Sequence, residues 1–330
     1  MYTSMPDLLR SSTTMRGLSD LRRELSRAST EMATGKTTDI LAATQGRGAS
    51  LYEAGRELKT IEAGARRLAL VETRYQAASD ALTTVRELAS AVRADAYTAV
   101  SASDGVGGSE FAADSAKAAL SAAFDAMRTT VQGRAVFAGS EAGGDVLQSA
   151  DDVLVALRTA LASAPAGTAP AATVRAFFAD GGDFETSFYT GGDEREGALL
   201  ESGQRVAPLP RAVSSSLRQV FAGLAMVSLS LDVPSSERTA LLREGGDVLR
   251  EGEDAVVREE ARLGRALSEI DREAERLTQR KFAAEKAIDS VIGRDPFEAA
   301  SEVQALEARL QAAYTIAGRS SQLRLANFLR

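Results

Sequence analysis

Cysteine, histidine and tryptophan are all missing from this chain. Without thiols or imidazoles there is no disulfide framework, no zinc or iron-sulfur site built on the usual ligands, and no Ser-His-Asp or Cys-His nucleophile. A cysteine-free chain is compatible with either redox compartment, and lack of thiols suits export. The 6 Tyr and 11 Phe offer little bulk for filling a wide core or for stacking bases. Long apolar runs are also missing. Met1 to Arg16 carries Pro6, Asp7 and Arg10 and no secretory h-region, so any export is expected to use another route. The longest uncharged apolar stretch, Gln219 to Leu231, contains Ser228 and Ser230 and is too short to span a bilayer, so no membrane insertion is expected. The 39 Lys and Arg against 46 Asp and Glu give a formal charge of −7 with no basic block, which disfavours nucleic acid as a partner.

Helix formers are abundant. With 61 Ala, 35 Leu and 26 Glu, the residues Ala, Glu, Leu, Lys and Arg make up close to half of the 330 positions, a composition of long helices. Val71, Tyr75, Ala78, Leu82, Val85, Ala89, Val92 and Ala96 alternate at intervals of four and three. Leu58, Ile61, Ala65 and Leu68 lead into them with one slip of phase, predicting one long helix with a narrow apolar seam. Leu263, Leu267, Ile270, Ala274, Leu277, Lys281, Ala284, Ile288 and Val291 repeat the rhythm downstream, and the predicted helix runs from about 250 to 292. Its other face, with Glu259, Glu260, Arg262, Arg265, Asp271, Arg272, Glu273, Glu275 and Arg276, reads as a solvated surface of mixed charge. The two long helices are expected to pack against each other.

Both chain ends are amphipathic, through Leu18, Leu21, Leu25 and Met32 at one and Val303, Leu306, Leu310, Ala313 and Ala317 at the other. Each is too short to be stable alone, and order only within an assembly is expected. Gly35 reads as a helix stop within 34–39, and Gly293-Arg294-Asp295-Pro296 as a second break. Composition shifts between 139 and 210, where four of seven prolines and the glycine pairs at 143/144, 181/182 and 191/192 fall. Within this insert Asp151 to Ala162 reads as a helix, Ala162 to Ala172 as a linker and Phe184 to Tyr189 as a strand. Ala135 to Gly139 reads as a strand or turn before it.

The fold expected is mainly α: an elongated, discontinuous helical rod with terminal coiled-coil helices and a small α+β insert. Its parts are an N-terminal helix (1–45), a first half of the rod (46–138), the insert (139–210), a second half (211–295) and a C-terminal helix (296–330). The insert is expected to be dispensable for the rod.

Chemistry-bearing motifs are weak. Gly35-Lys36-Thr37 looks like the tail of a phosphate loop, but Thr30 stands where its first glycine is required. Gly46-Arg47-Gly48 lacks the third glycine of a dinucleotide fingerprint, Leu51 taking that place. Asp180-Gly181-Gly182-Asp183 and Gly191-Gly192-Asp193-Glu194 could offer oxygens to a hard cation, yet they lack calcium-loop spacing and read as tight turns. No carboxylate pair stands out, so neither catalysis nor a cofactor is expected.

Three segments carry a family resemblance. Ala28-Ser29-Thr30-Glu31-Met32-Ala33-Thr34-Gly35-Lys36 resembles the N-terminal segment of the flagellin family. Gly133-Arg134-Ala135-Val136-Phe137-Ala138-Gly139-Ser140 is similar to a segment of the family's hook-associated branch at the hook-filament junction. So is the end of the chain, 306–314 and then Arg319 to Leu329, with its Asn-Phe-Leu close. Family members often follow Gly-Lys with Ser, paired Asp and Pro, and here Thr37-Thr38-Asp39-Ile40-Leu41 stands instead.

The resemblance implies a structural axial protein of the bacterial flagellum, exported by the type III route on an uncleaved signal and assembled as a homo-oligomeric ring. Its partners would be the hook-side junction protein, flagellin and an export chaperone. The assembly contacts expected are Leu18, Leu21, Leu25 and Met32 with Leu306, Leu310, Ala313, Leu323 and Phe328. The alternatives are a flagellin proper, a free coiled-coil adaptor, and a carboxylate-dependent enzyme housed in the insert.

Overall fold

The structure is a computed structural model and describes residues 5–44, 48–101, 107–141, 143 and 145–328, with side chains at 5–11, 14 and 320–328 excepted. The chain is mainly α. Helices α1 (Met5–Thr34), α2 (Ile40–Thr44), α3 (Gly48–Ser101) and α4 (Gly107–Met127) precede a two-residue hairpin, β1 (Thr130–Val131) and β2 (Arg134–Ala135). Then come α5 (Ala150–Ser163), α6 (Pro170–Phe177), α7 (Ser215–Ser228), α8 (Ser235–Ile292) and α9 (Pro296–Phe328). Two compact units emerge, one from residues 1–63 and 277–330 and the other from 64–276. Their boundaries fall inside α3 and α8, so each long helix contributes to both.

In the unit of residues 64–276, α3 and α8 run antiparallel, as their polar contacts require. Arg86 Nε donates to both Glu260 oxygens at 3.2 Å, Arg93 Nε to Glu253 at 2.7 Å and the Tyr97 hydroxyl to Asp247 at 2.8 Å. Along α3 the predicted seam is buried from Tyr75 to Ala96. Upstream of the phase slip the reading fails at one position. Ala65 is exposed, and Gly64 is buried in its place beneath the Glu201 side chain. The charged face of α8 also differs from expectation, since Glu259 and Glu273 are buried. Residues from the insert reach this face. The Ser202 amide donates to Glu273 at 3.0 Å, and Arg276 pairs with the same carboxylate. Glu259 pairs with Arg262 at 3.0 Å, while burial pushes its carboxyl above the usual range.

The scarce aromatics are concentrated rather than spread. Phe124 of α4 meets Phe184 and Phe221, Phe184 also meets Phe178 and Phe221, and Phe177 meets Phe178 and Phe188. Ring pairs at these separations add to the area they bury. Few aromatics thus suffice, because Ala112, Ala116 and Ala123 on α4 let helices approach closely around one phenylalanine cluster.

Residues 139–210 belong to this core. Val146, Leu147, Val153, Leu154, Leu157 and Val174 are buried, and Arg218 of α7 reaches back to the Ala179 carbonyl at 2.8 Å and to Asp180 and Glu185. Excising 145–205 would expose this surface, so, against the expectation from sequence, its removal is expected to destabilise this unit. Phe184–Phe188 is one turn of π-helix rather than the expected strand, and only Tyr189 pairs in β fashion, with Leu147. The phenylalanine spacing serves the cluster, and tertiary packing overrides β propensity.

Helix α7, the apolar stretch at 219–231, is buried nearly all round, and glycines permit it. A Cβ on Gly252 would lie 2.8 Å from Val220 Cγ2 and 3.0 Å from the Val220 amide nitrogen. One on Gly223 would lie 2.7 Å from Leu249 Cγ. Gly252→Ala is therefore expected to destabilise by about 1–3 kcal/mol, because a backbone atom cannot rotate away. Gly264→Ala, with nothing within 4 Å, should stabilise the same helix by up to about 1 kcal/mol. Urea unfolding of both variants checks the opposite signs.

Candidate functional site: the paired terminal helices

In the unit built from the two ends of the chain, α1 and α9 lie along each other. Leu18, Leu21, Leu25 and Ala28 recur every three or four residues on α1, as do Ala299, Val303, Leu306, Leu310, Ala313 and Ala317 on α9. Such spacing puts one apolar stripe on each helix. The stripes meet in a small core of Ala28, Val303 and Leu306, with Leu21 and Leu25 packed against it. Burial is deepest beside the helix breaks and declines toward the chain ends, where Leu18, Leu310 and Ala313 are half-buried. Further along, Arg22 Nε donates to the Tyr314 hydroxyl at 2.7 Å with the guanidinium 5.4 Å from the ring centroid.

The two breaks are pinned together. Gly35 ends α1 with φ of +65°, a conformation that favours glycine. Beyond it Lys36 bridges Gly293 in antiparallel fashion, the Thr37 amide donates to Ile292 O at 2.8 Å, and the Arg294 amide donates to Gly35 O at 2.9 Å. At the centre is Glu31, only 2% exposed. Its carboxylate accepts from the Thr38 amide at 2.9 Å and the Thr38 hydroxyl at 2.7 Å, and pairs with Arg294, which also pairs with Glu302. A buried carboxylate needs such saturation. The Thr37-Thr38 pair is thus the part that docks the loop. On the far side of the break, Asp39 caps α2 by accepting from the Ala42 amide at 3.0 Å.

Of the expected assembly contacts, Leu21, Leu25 and Leu306 are satisfied within the chain, Leu306 being 4% exposed. Met32 is exposed, whereas the side chains of Leu323 and Phe328 lie outside the described residues. The terminal stripes therefore find their partner in each other. The spacing of Leu, Val and Ala could not reveal which apolar side chains are left over. In this unit those include Met15, Ile40, Leu41, Tyr52, Phe282, Phe297 and Ile316, with Leu41 88% exposed, together with Met32 and half of Tyr314. Glu31 and Arg294 also escaped the reading, because one acid and one base 263 positions apart carry no local signal.

Elsewhere the motif-like loops are structural. Gly181 takes φ of +66°, its amide donates to Glu185 at 3.0 Å, and Asp180 is held by Arg218. Among the described residues no group of three Asp or Glu could hold a metal ion, and no helix is long and apolar enough to cross a membrane. No known protein-family model matches the chain, and neither does any curated protein.

Proposed function

We propose that the chain is a structural axial protein of the bacterial flagellum, placed at the junction between hook and filament. The observation that carries this reading is the apolar surplus on the unit made from the two chain ends. Met15, Met32, Ile40, Leu41, Phe297 and Ile316 stay exposed although the unit's own seam is already filled. Large apolar side chains left exposed beside a filled seam are available to meet other proteins. The Ala28 to Lys36 and Gly133 to Ser140 segments, with their resemblance to the flagellin family, support an axial protein over a free adaptor. Copies of the chain would form a ring, with the hook-side junction protein below, flagellin above, and an export chaperone covering the same apolar side chains before type III secretion. No catalytic role is proposed.

The test uses a double variant, Leu41→Asp with Ile316→Asp. Both positions are exposed, so its melting temperature is expected to match wild type, while incorporation at hook tips and cell motility are lost. Motile cells carrying only this variant would refute the reading. Long filaments from the pure wild-type chain would make it a filament subunit instead.

A further inference from the structure

The unit of residues 64–276 contains a cavity of about 560 Å³ between α3 and the 194–209 segment, and the flagellar reading leaves it without a role. Arg74 and Arg195 line it, beside apolar walls from Val71, Tyr75 and Val136. Arg134 of the hairpin stands close enough to Arg74 for their charges to interact. The Nε atoms of Arg74 and Arg134 are both buried and have no hydrogen-bond partner. Among the described residues neither arginine, nor Arg195, has a carboxylate within ion-pair distance. The two acids in the lining do not fill that gap, since Glu196 is taken by Arg205 at 2.8 Å and Glu194 reaches none of the three. The Tyr75 hydroxyl is spent on the Ala207 carbonyl at 2.6 Å.

We propose that this cavity is an oxyanion site, in which Arg74 and Arg195 receive a phosphate or carboxylate group and Arg134 adds positive charge from beside the lining. A guanidinium presents a planar fork of donors that matches either group, and buried donors without acceptors are costly until one arrives. Burial first, and then the charges of Arg134 and Arg195, lower the Arg74 pKa, as expected where like charges gather without a counter-ion. An entering anion relieves that repulsion and offers an acceptor to the orphaned Arg74 Nε. The site does not depend on the flagellar reading.

Calorimetric titration of the full chain with inorganic phosphate, and separately with citrate, provides the test, with chloride holding ionic strength constant. Saturable binding is expected, weakened about tenfold or more in each of Arg74→Gln and Arg195→Gln. Arg158→Gln, which removes a surface pair with Asp232 in the same unit, should leave it unchanged. If the oxyanion is instead a carboxylate of a second copy, neither ion gives heat. Wild type then self-associates in sedimentation, and Arg74→Gln and Arg195→Gln, but not Arg158→Gln, abolish that association. Either pattern supports the site. Binding that survives in both arginine variants overturns it, as does absence of both ion binding and arginine-dependent association. Arg195 is exposed, so its variant carries the test even if Arg74→Gln fails to fold.

Discussion

Leu82→Asp and Ile270→Asp are each expected to unfold the unit of residues 64–276 at ordinary temperature. Both side chains are 0% exposed, on the helices whose Arg86–Glu260 and Arg93–Glu253 rungs fix an antiparallel pairing. Truncating a buried leucine or isoleucine alone costs about 2–5 kcal/mol. A carboxylate without a partner in the same place adds several more, or is protonated at comparable cost. The sum approaches the whole stability of an ordinary domain, about 5–15 kcal/mol. Leu82→Ala separates the two contributions, since it should lose only the first. Chemical denaturation followed by circular dichroism measures each, and unchanged midpoints in both aspartate variants would mean that the seam is not a core.

Glu31→Ala is expected to loosen both helix breaks, lowering the stability of the terminal unit by about 3 kcal/mol. The carboxylate holds the Thr38 amide and hydroxyl from one break and Arg294 from the other. Removing one partner of a buried pair costs about 3–5 kcal/mol, and the lower end applies because Arg294 keeps Glu302 and is 24% exposed. Glu31→Gln should cost less, as its amide oxygen can still accept from Thr38. Hydrogen exchange at the Thr37 and Arg294 amides reads the effect where it acts, because those amides donate across the breaks to Ile292 O and Gly35 O. Exchange unchanged in Glu31→Ala would assign the pinning to the backbone bridge alone.

What the sequence disclosed follows from the range over which each signal acts. The alternation from Val71 to Ala96 and the glycine and proline at 35 and 296 are local, and α3, the end of α8 and the breaks stand where they predict, although α8 begins at Ser235 rather than near 250. Signals that depend on distant residues were misread. Phe184 to Phe188 has strand composition, but the cluster around Phe124 and Phe221 holds it as a π-turn. Glu273 has the spacing of a solvated face until Ser202 reaches it from the insert. The glycines at 245, 246 and 252 would ordinarily weaken a helix. Here they mark where α7 and Tyr97 come close. At the candidate site, the apolar stripes were legible and their mutual pairing was not, since a stripe does not name its partner.

The rung between Arg22 and Tyr314 joins residues 292 positions apart, and the bridge between Lys36 and Gly293 is of the same kind. During synthesis, which proceeds from the amino terminus, the first 63 residues therefore emerge long before the segment that covers them. By contrast, everything in the unit of residues 64–276 is available once position 276 has left the ribosome. Closing so long a loop is slow relative to local pairing. The chain thus has a built-in order of folding, with its middle first and its two ends last, and a waiting interval in which the Leu18 to Met32 stripe is uncovered and open to capture by another molecule.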